Sequence, residues 1–157
     1  MVRGPHQGEP VYGTSWRRHG ERRQRAARVA RALRPAAHAR GGLVSTELIV
    51  PYAGRWYRPD VGVVLGAEPP HDGVLDAAPA LVVRLGGPLR GADWLRAGAA
   101  AVWNADGDDE GVVVQLTRRG VRRMSRGAWL VHPDEPALRL AADELTRGIR
   151  ADARIGA

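Results

Sequence analysis

Two periodicities organise the chain. From His19 to about Arg40, the apolar residues Ala26, Val29, Ala30, Leu33 and Ala36 recur at helical spacing, while Arg25, Arg28, Arg31 and Arg34 point elsewhere. That pattern predicts an amphipathic helix with one buried stripe and a solvated, arginine-bearing side. Pro35 has no amide proton and its ring clashes with the preceding turn, so it is expected to kink the helix or end it early. Residues 1–18 are rich in Gly, Pro and Arg and lack periodicity, so they read as an N-terminal arm, with Glu9 to Tyr12 a candidate short edge strand.

After Gly41-Gly42 the pattern changes to strand-length runs. Leu43 to Val50 reads as a strand, and Ala53-Gly54 as a tight turn. Val61–Leu65, Leu81–Leu85 and Ala100–Trp103 are nearly continuous apolar runs, as expected of central strands covered on both faces. A short helix is predicted over Arg90–Ala97. Asn104 to Asp109 reads as a polar hairpin turn, Gly111 to Leu116 as the returning strand, and Val121 to Met124 as its continuation. A last short strand and helix lie within Pro136–Ile149. The sequence therefore predicts a single α/β domain over 19–157, with a mixed β-sheet flanked by helices.

Composition narrows the chemistry. The chain has 157 residues and no Cys, which excludes disulfides, thiol nucleophiles and Cys-ligated metals. No run approaches a membrane span and the N-terminus lacks a signal-like apolar stretch, so a cytoplasmic protein with no membrane partner is expected. Its 24 basic residues are all Arg and exceed the 17 acids, for a net charge of +7. Such a balance favours polyanions, nucleic acid first among them. The absence of both Lys and Phe points to a compositional bias that also feeds this charge.

Three carboxylates stand out: Glu21 on the first helix, Glu47 on the first long strand and Asp60 at the mouth of the next. Acids on adjacent elements can share a hard cation such as Mg²⁺, which takes oxygen ligands and keeps several waters. The plainer alternative pairs Glu21 and Glu47 with surface Arg. His6, His38, His71 and His132 fall in or near loops and are expected to face solvent, and the acidic turn at Asp106, Asp108, Asp109 and Glu110 reads as a solvated hairpin.

The segment Tyr57-Arg58-Pro59-Asp60-Val61-Gly62-Val63-Val64 resembles the "PD" strand of the Uma-type restriction-endonuclease family, a branch of the PD-(D/E)XK nuclease superfamily. Gly8-Glu9-Pro10-Val11 and Trp16-Arg17-Arg18-His19 resemble that family's opening strand and helix entry. Ala78 to Pro88 resembles its "aPdLVVEVlSP" strand, and Ala97-Gly98 with Val102 to Asp106 its "aGvxeYWlvD" segment. Leu138-Arg139-Leu140 and Asp143-Glu144-Leu145 resemble its closing stretch.

The resemblance implies a restriction-endonuclease-like fold, Mg²⁺ at Asp60, His19 as a base near neutrality, and nucleic acid as substrate. It also implies a degenerate site. The family's second metal-binding acid falls at Arg84, a second acid falls at Ala80, and no Lys exists to serve as the catalytic lysine. Arg84 is placed to offset charge near Asp60 or to salt-bridge it. Arg90 is a stand-in phosphate clamp but a poor proton-transfer group.

Three functions remain open from sequence. The first is an inactive or impaired nuclease-fold protein with a nucleic-acid-binding or scaffolding role, in which Arg84, Arg90, Arg22 and Arg25 meet phosphate. The second is an active Mg²⁺-dependent endonuclease that uses Glu21, Glu47 and Asp60. The third is an interaction module, anchored by Trp16, Trp56 or Trp94 and able to form a homo-oligomer.

Overall fold

A computed structural model describes residues 12–66, 71–86, 89–106 and 112–147, with side chains from Gly20 onward except that of Asp106. The first element is a helix, α1 (Tyr12–Ala39), which starts inside the stretch expected to be an arm and carries Pro35 within it. The helix is stopped instead by Gly41-Gly42. The Gly41 amide donates to the His38 carbonyl at 3.0 Å and the Gly42 amide to that of Ala37 at 2.8 Å. Gly41 sits at φ 67°, the left-handed residue that this closing motif requires.

The strands follow as β1 (Leu43–Ser45), β2 (Val50–Tyr52), β3 (Arg55–Tyr57), β4 (Val61–Val64) and β5 (Leu81–Arg84). After them come a short helix, α2 (Gly91–Arg96), and the strands β6 (Ala101–Asp106), β7 (Val112–Thr117) and β8 (Gly120–Met124). The chain continues with β9 (Trp129–Val131), β10 (Arg139–Ala141) and α3 (Ala142–Thr146). Six strands form one sheet in the order β1-β4-β5-β6-β7-β8, in which only β5 and β6 run parallel, joined by the α2 crossover. The three apolar runs are neighbours in it, as expected. The predicted strand over Leu43–Val50 is divided: β1 joins the main sheet, and β2 pairs with β3 across a turn in which Ala53 and Gly54 both have positive φ. Asn104 to Asp106 extends β6 instead of turning.

Both faces of the sheet are covered, which explains the unbroken apolar runs. On one face, Val61, Val63, Leu81, Val83, Ala101 and Trp103 pack against Ala26, Val29, Ala30, Leu33 and Ala37 of α1. On the other, Val82 and Val102 meet Leu89 and Trp94 around α2, together with Leu48, Val50 and Leu75. Each Val or Leu so buried stabilises the fold by about 1.5–3 kcal/mol relative to exposure.

Candidate functional site

Asp60 follows buried Pro59 at the entry to β4. In the β4–β5 register Val61 lies opposite Val83, so the next step along the pair sets Asp60 across from Arg84. The two positions expected to face each other from adjacent strands do so. In place of a second acid, the Asp60 carboxylate meets donors. Arg22 Nε donates to Oδ1 at 2.6 Å, Arg22 Nη2 to Oδ2 at 2.9 Å, and the Leu85 amide to Oδ2 at 2.6 Å. Arg22 Nη2 also donates to the Gly86 carbonyl at 2.8 Å. A two-pronged guanidinium–carboxylate pair of this kind is among the stronger polar contacts. The Asp60 side chain is only 11% exposed and that of Arg22 32%, so solvent screens the pair only in part.

Tyr57, Arg58, Pro59, Asp60, Arg84, Gly86, Leu89 and Trp94 line a small cleft here that is partly open to solvent. Arg58 and Arg84 are its cations, and its one acid is bonded to a third arginine.

The remaining candidates are dispersed. Glu47 is 81% exposed and lies 3.9 Å from Arg58; Glu21 is exposed on α1. Among the described residues no three His, Asp or Glu side chains gather in a way that would hold a metal ion, so Glu21, Glu47 and Asp60 do not form one. The residues present do not fit Mg²⁺: both Asp60 oxygens are engaged, and the facing position is a guanidinium. The His19 side chain lies outside the described residues, as do His6, the side chain of Trp16 and the acidic turn from Gly107. Arg90 is exposed at the N-cap of α2. Arg25, expected to meet phosphate, donates to the Leu145 carbonyl and ties α1 to α3.

Two expectations are overturned. Trp94, a candidate partner anchor, is 2% exposed and forms part of the core. His132, expected in solvent, is 1% exposed. Its Nδ1 accepts from the Asp134 and Glu135 amides, both at 3.1 Å, which places the ring proton on Nε2, 3.0 Å from the Ala80 carbonyl. The surrounding loop folds onto the end of β5, and that tertiary contact supplied the burial. Arg22 and Asp60 lie 38 residues apart, so no local pattern links them in the sequence.

No family model matches the chain, and no curated protein matches it. Among solved structures, a protein from Anabaena variabilis ATCC 29413 described as "a putative nuclease belonging to DUF820" is similar over 83% of this chain and 81% of that one, with a TM-score of 0.63 at 16% identity. The fold is nuclease-like. That agrees with the restriction-endonuclease-like architecture expected from the sequence, and a likeness at this identity speaks to architecture alone. Within the nuclease-like fold, no described helix is long and apolar enough to cross a membrane.

Proposed function

We propose that this chain is a nuclease-fold protein that binds nucleic acid at its cleft and does not cleave it. The observation that carries the reading is the Arg22–Asp60 pair facing Arg84. Phosphodiester hydrolysis in metal-dependent nucleases needs an activated water and a cation that stabilises charge growing on phosphate oxygens. Here both oxygens of the cleft carboxylate already accept hydrogen bonds from a guanidinium and an amide, which makes it a poorer ligand for a hydrated Mg²⁺. The other charged side chains that line the cleft, Arg58 and Arg84, suit an anionic ligand better than a cation. Arg90, exposed at the start of α2, is a further phosphate contact in this reading.

The test is incubation of the full chain with supercoiled, linear and single-stranded DNA in Mg²⁺ and Mn²⁺, beside an Asp60→Ala variant. The expected result is a mobility shift with no cleavage above the variant's background. Nicking that vanishes in Asp60→Ala would favour the alternative of an active endonuclease built on Asp60, and the proposal would fall. A second reading, an interaction module, is favoured by Trp56, which stands 67% exposed on the β2–β3 hairpin. Wild-type protein that binds no DNA but self-associates through Trp56 would support it.

A further inference from the structure

The arginines of this chain divide into two populations. Several on and after α1 are used internally: Arg22 on Asp60, Arg25 on the Leu145 carbonyl, Arg28 on the Arg147 carbonyl and near Glu144, and Arg40 on Glu135. The β7–β8 hairpin is different. Arg118, Arg119, Arg122, Arg123 and Arg126 fall within nine residues, and from Val112 to Pro133 there is no Asp or Glu. All five are exposed, and none of their guanidiniums has an ion-pair or hydrogen-bond partner among the described residues. Concentrating like charges this closely costs self-repulsion, and a bound polyanion relieves it.

Register connects the hairpin to the cleft. Arg84 pairs with Asn104, Asn104 with Val114, and Val114 with Arg123. Directly paired residues share a face of a sheet, so Arg84 and Arg123 lie on one row and one face. Three strand spacings separate them, about 14 Å. On α1, Arg23, Arg31 and Arg34, which likewise lack a side-chain partner among the described residues, sit in the layer on the opposite face and are spread along the helix.

We propose that the β7–β8 hairpin is a phosphate-backbone docking surface for nucleic acid, lying outside the cleft and continuous with it along the Arg84–Arg123 row. The choice of nucleic acid as the polyanion rests on the function proposed above; the location of the surface rests on the hairpin alone. Contacts to phosphate orient a bound strand without reading its bases, so the hairpin supplies affinity and register to whatever the cleft holds.

The experiment uses the full chain and a fluorescent 20-base-pair duplex, with binding followed by anisotropy across a salt series. R118Q/R119Q/R122Q/R123Q is compared with wild type and with a charge-loss control on the helix, R23Q/R31Q/R34Q. Each phosphate contact contributes roughly 0.9 to the slope of log affinity against log salt. The hairpin variant is therefore expected to bind at least ~10-fold more weakly near 0.1 M salt, with a slope shallower by ~2–4. The helix control should change by less than ~3-fold. The half variants R118Q/R119Q and R122Q/R123Q should divide the loss, and far-UV circular dichroism checks that each is folded. Equal weakening by hairpin and helix variants would overturn the surface, because net charge alone would then explain binding. Wild-type affinity retained in the hairpin variant would also overturn it, while leaving the cleft reading intact. No duplex binding by wild type, together with binding to anionic lipid vesicles, would remove both.

Discussion

At the residue scale the Arg22–Asp60 pair bears on both the proposed function and stability. Truncating Asp60 to Ala strands a half-buried guanidinium and the Leu85 amide, and leaving such groups without partners costs more than the pair contributes net. Asp60→Ala is expected to destabilise by about 2 kcal/mol in urea titration. Arg22→Met in the same background should recover part of that loss, since the guanidinium that the truncation stranded is then gone. Under the proposed function, the same contact also predicts which substitutions would create a cation site. Arg84→Glu alone places a second carboxylate beside Arg22, which strengthens the guanidinium's hold. Arg84→Glu with Arg22→Gln frees both acids, and that double variant is expected to bind Mn²⁺ at least ~10-fold more tightly by calorimetry than either single one, about 1.4 kcal/mol. If the double variant binds no more than wild type, positions 60 and 84 do not share a cation. His132 carries a comparable load away from the cleft. His132→Ala removes an acceptor for two amides and a donor for one carbonyl, and a loss of roughly 2–4 kcal/mol is expected by the same titration.

Among the elements, α1 departs most from expectation, and its departure is instructive. Pro35 removes one hydrogen bond in the last two turns, yet the neighbouring Leu33 and Ala37 are fully buried, and packing of that stripe outweighs the local penalty. Pro35→Ala is accordingly expected to raise stability by about 1 kcal/mol, less than the full helix-interior penalty because proline also restricts the unfolded chain. A lower melting temperature for that variant would mean that Pro35 is held by contacts other than the helix itself. The strands β4, β5 and β6 were legible because burial on both faces writes itself as consecutive Val, Leu and Ala. The β9–β10 ribbon was only half legible: β10 falls within the predicted final strand, but β9 is three residues long and followed by His132-Pro133, which resembles a loop until β10 pairs with it. The facing of positions 60 and 84 was readable through the family resemblance. The arginine that occupies Asp60 was not, because only the packing of α1 on the sheet brings it there.

For the whole molecule, charge is arranged so that the sheet has one edge unsuited to pairing with a copy of itself. Strand β8 is the outer strand of the sheet, and a second β8 beside it would set guanidiniums against guanidiniums, a common protection of exposed edges. The chain should therefore not self-associate through β8 at low ionic strength. Arg122→Thr with Arg123→Val removes that protection next to Val121, which is already exposed. Concentration-dependent association of this variant is expected in light scattering, with wild type unchanged under the same conditions. A monomeric variant would show that the edge is guarded by its geometry and not by its charge.

In the middle of the sheet, Trp103 is fully buried and its indole N–H donates to Gln115, its cross-strand neighbour, at 3.0 Å. Together with buried Trp94 it gives two emitters shielded from water among the described residues, while Trp56 and Trp129 are largely open to it. Fluorescence of the native chain should therefore resolve into a blue component that acrylamide reaches slowly and a red component that it quenches readily. The first reports on separation of β6 from β7, and the second on what touches the outer ribbons, so one cuvette distinguishes unfolding from binding.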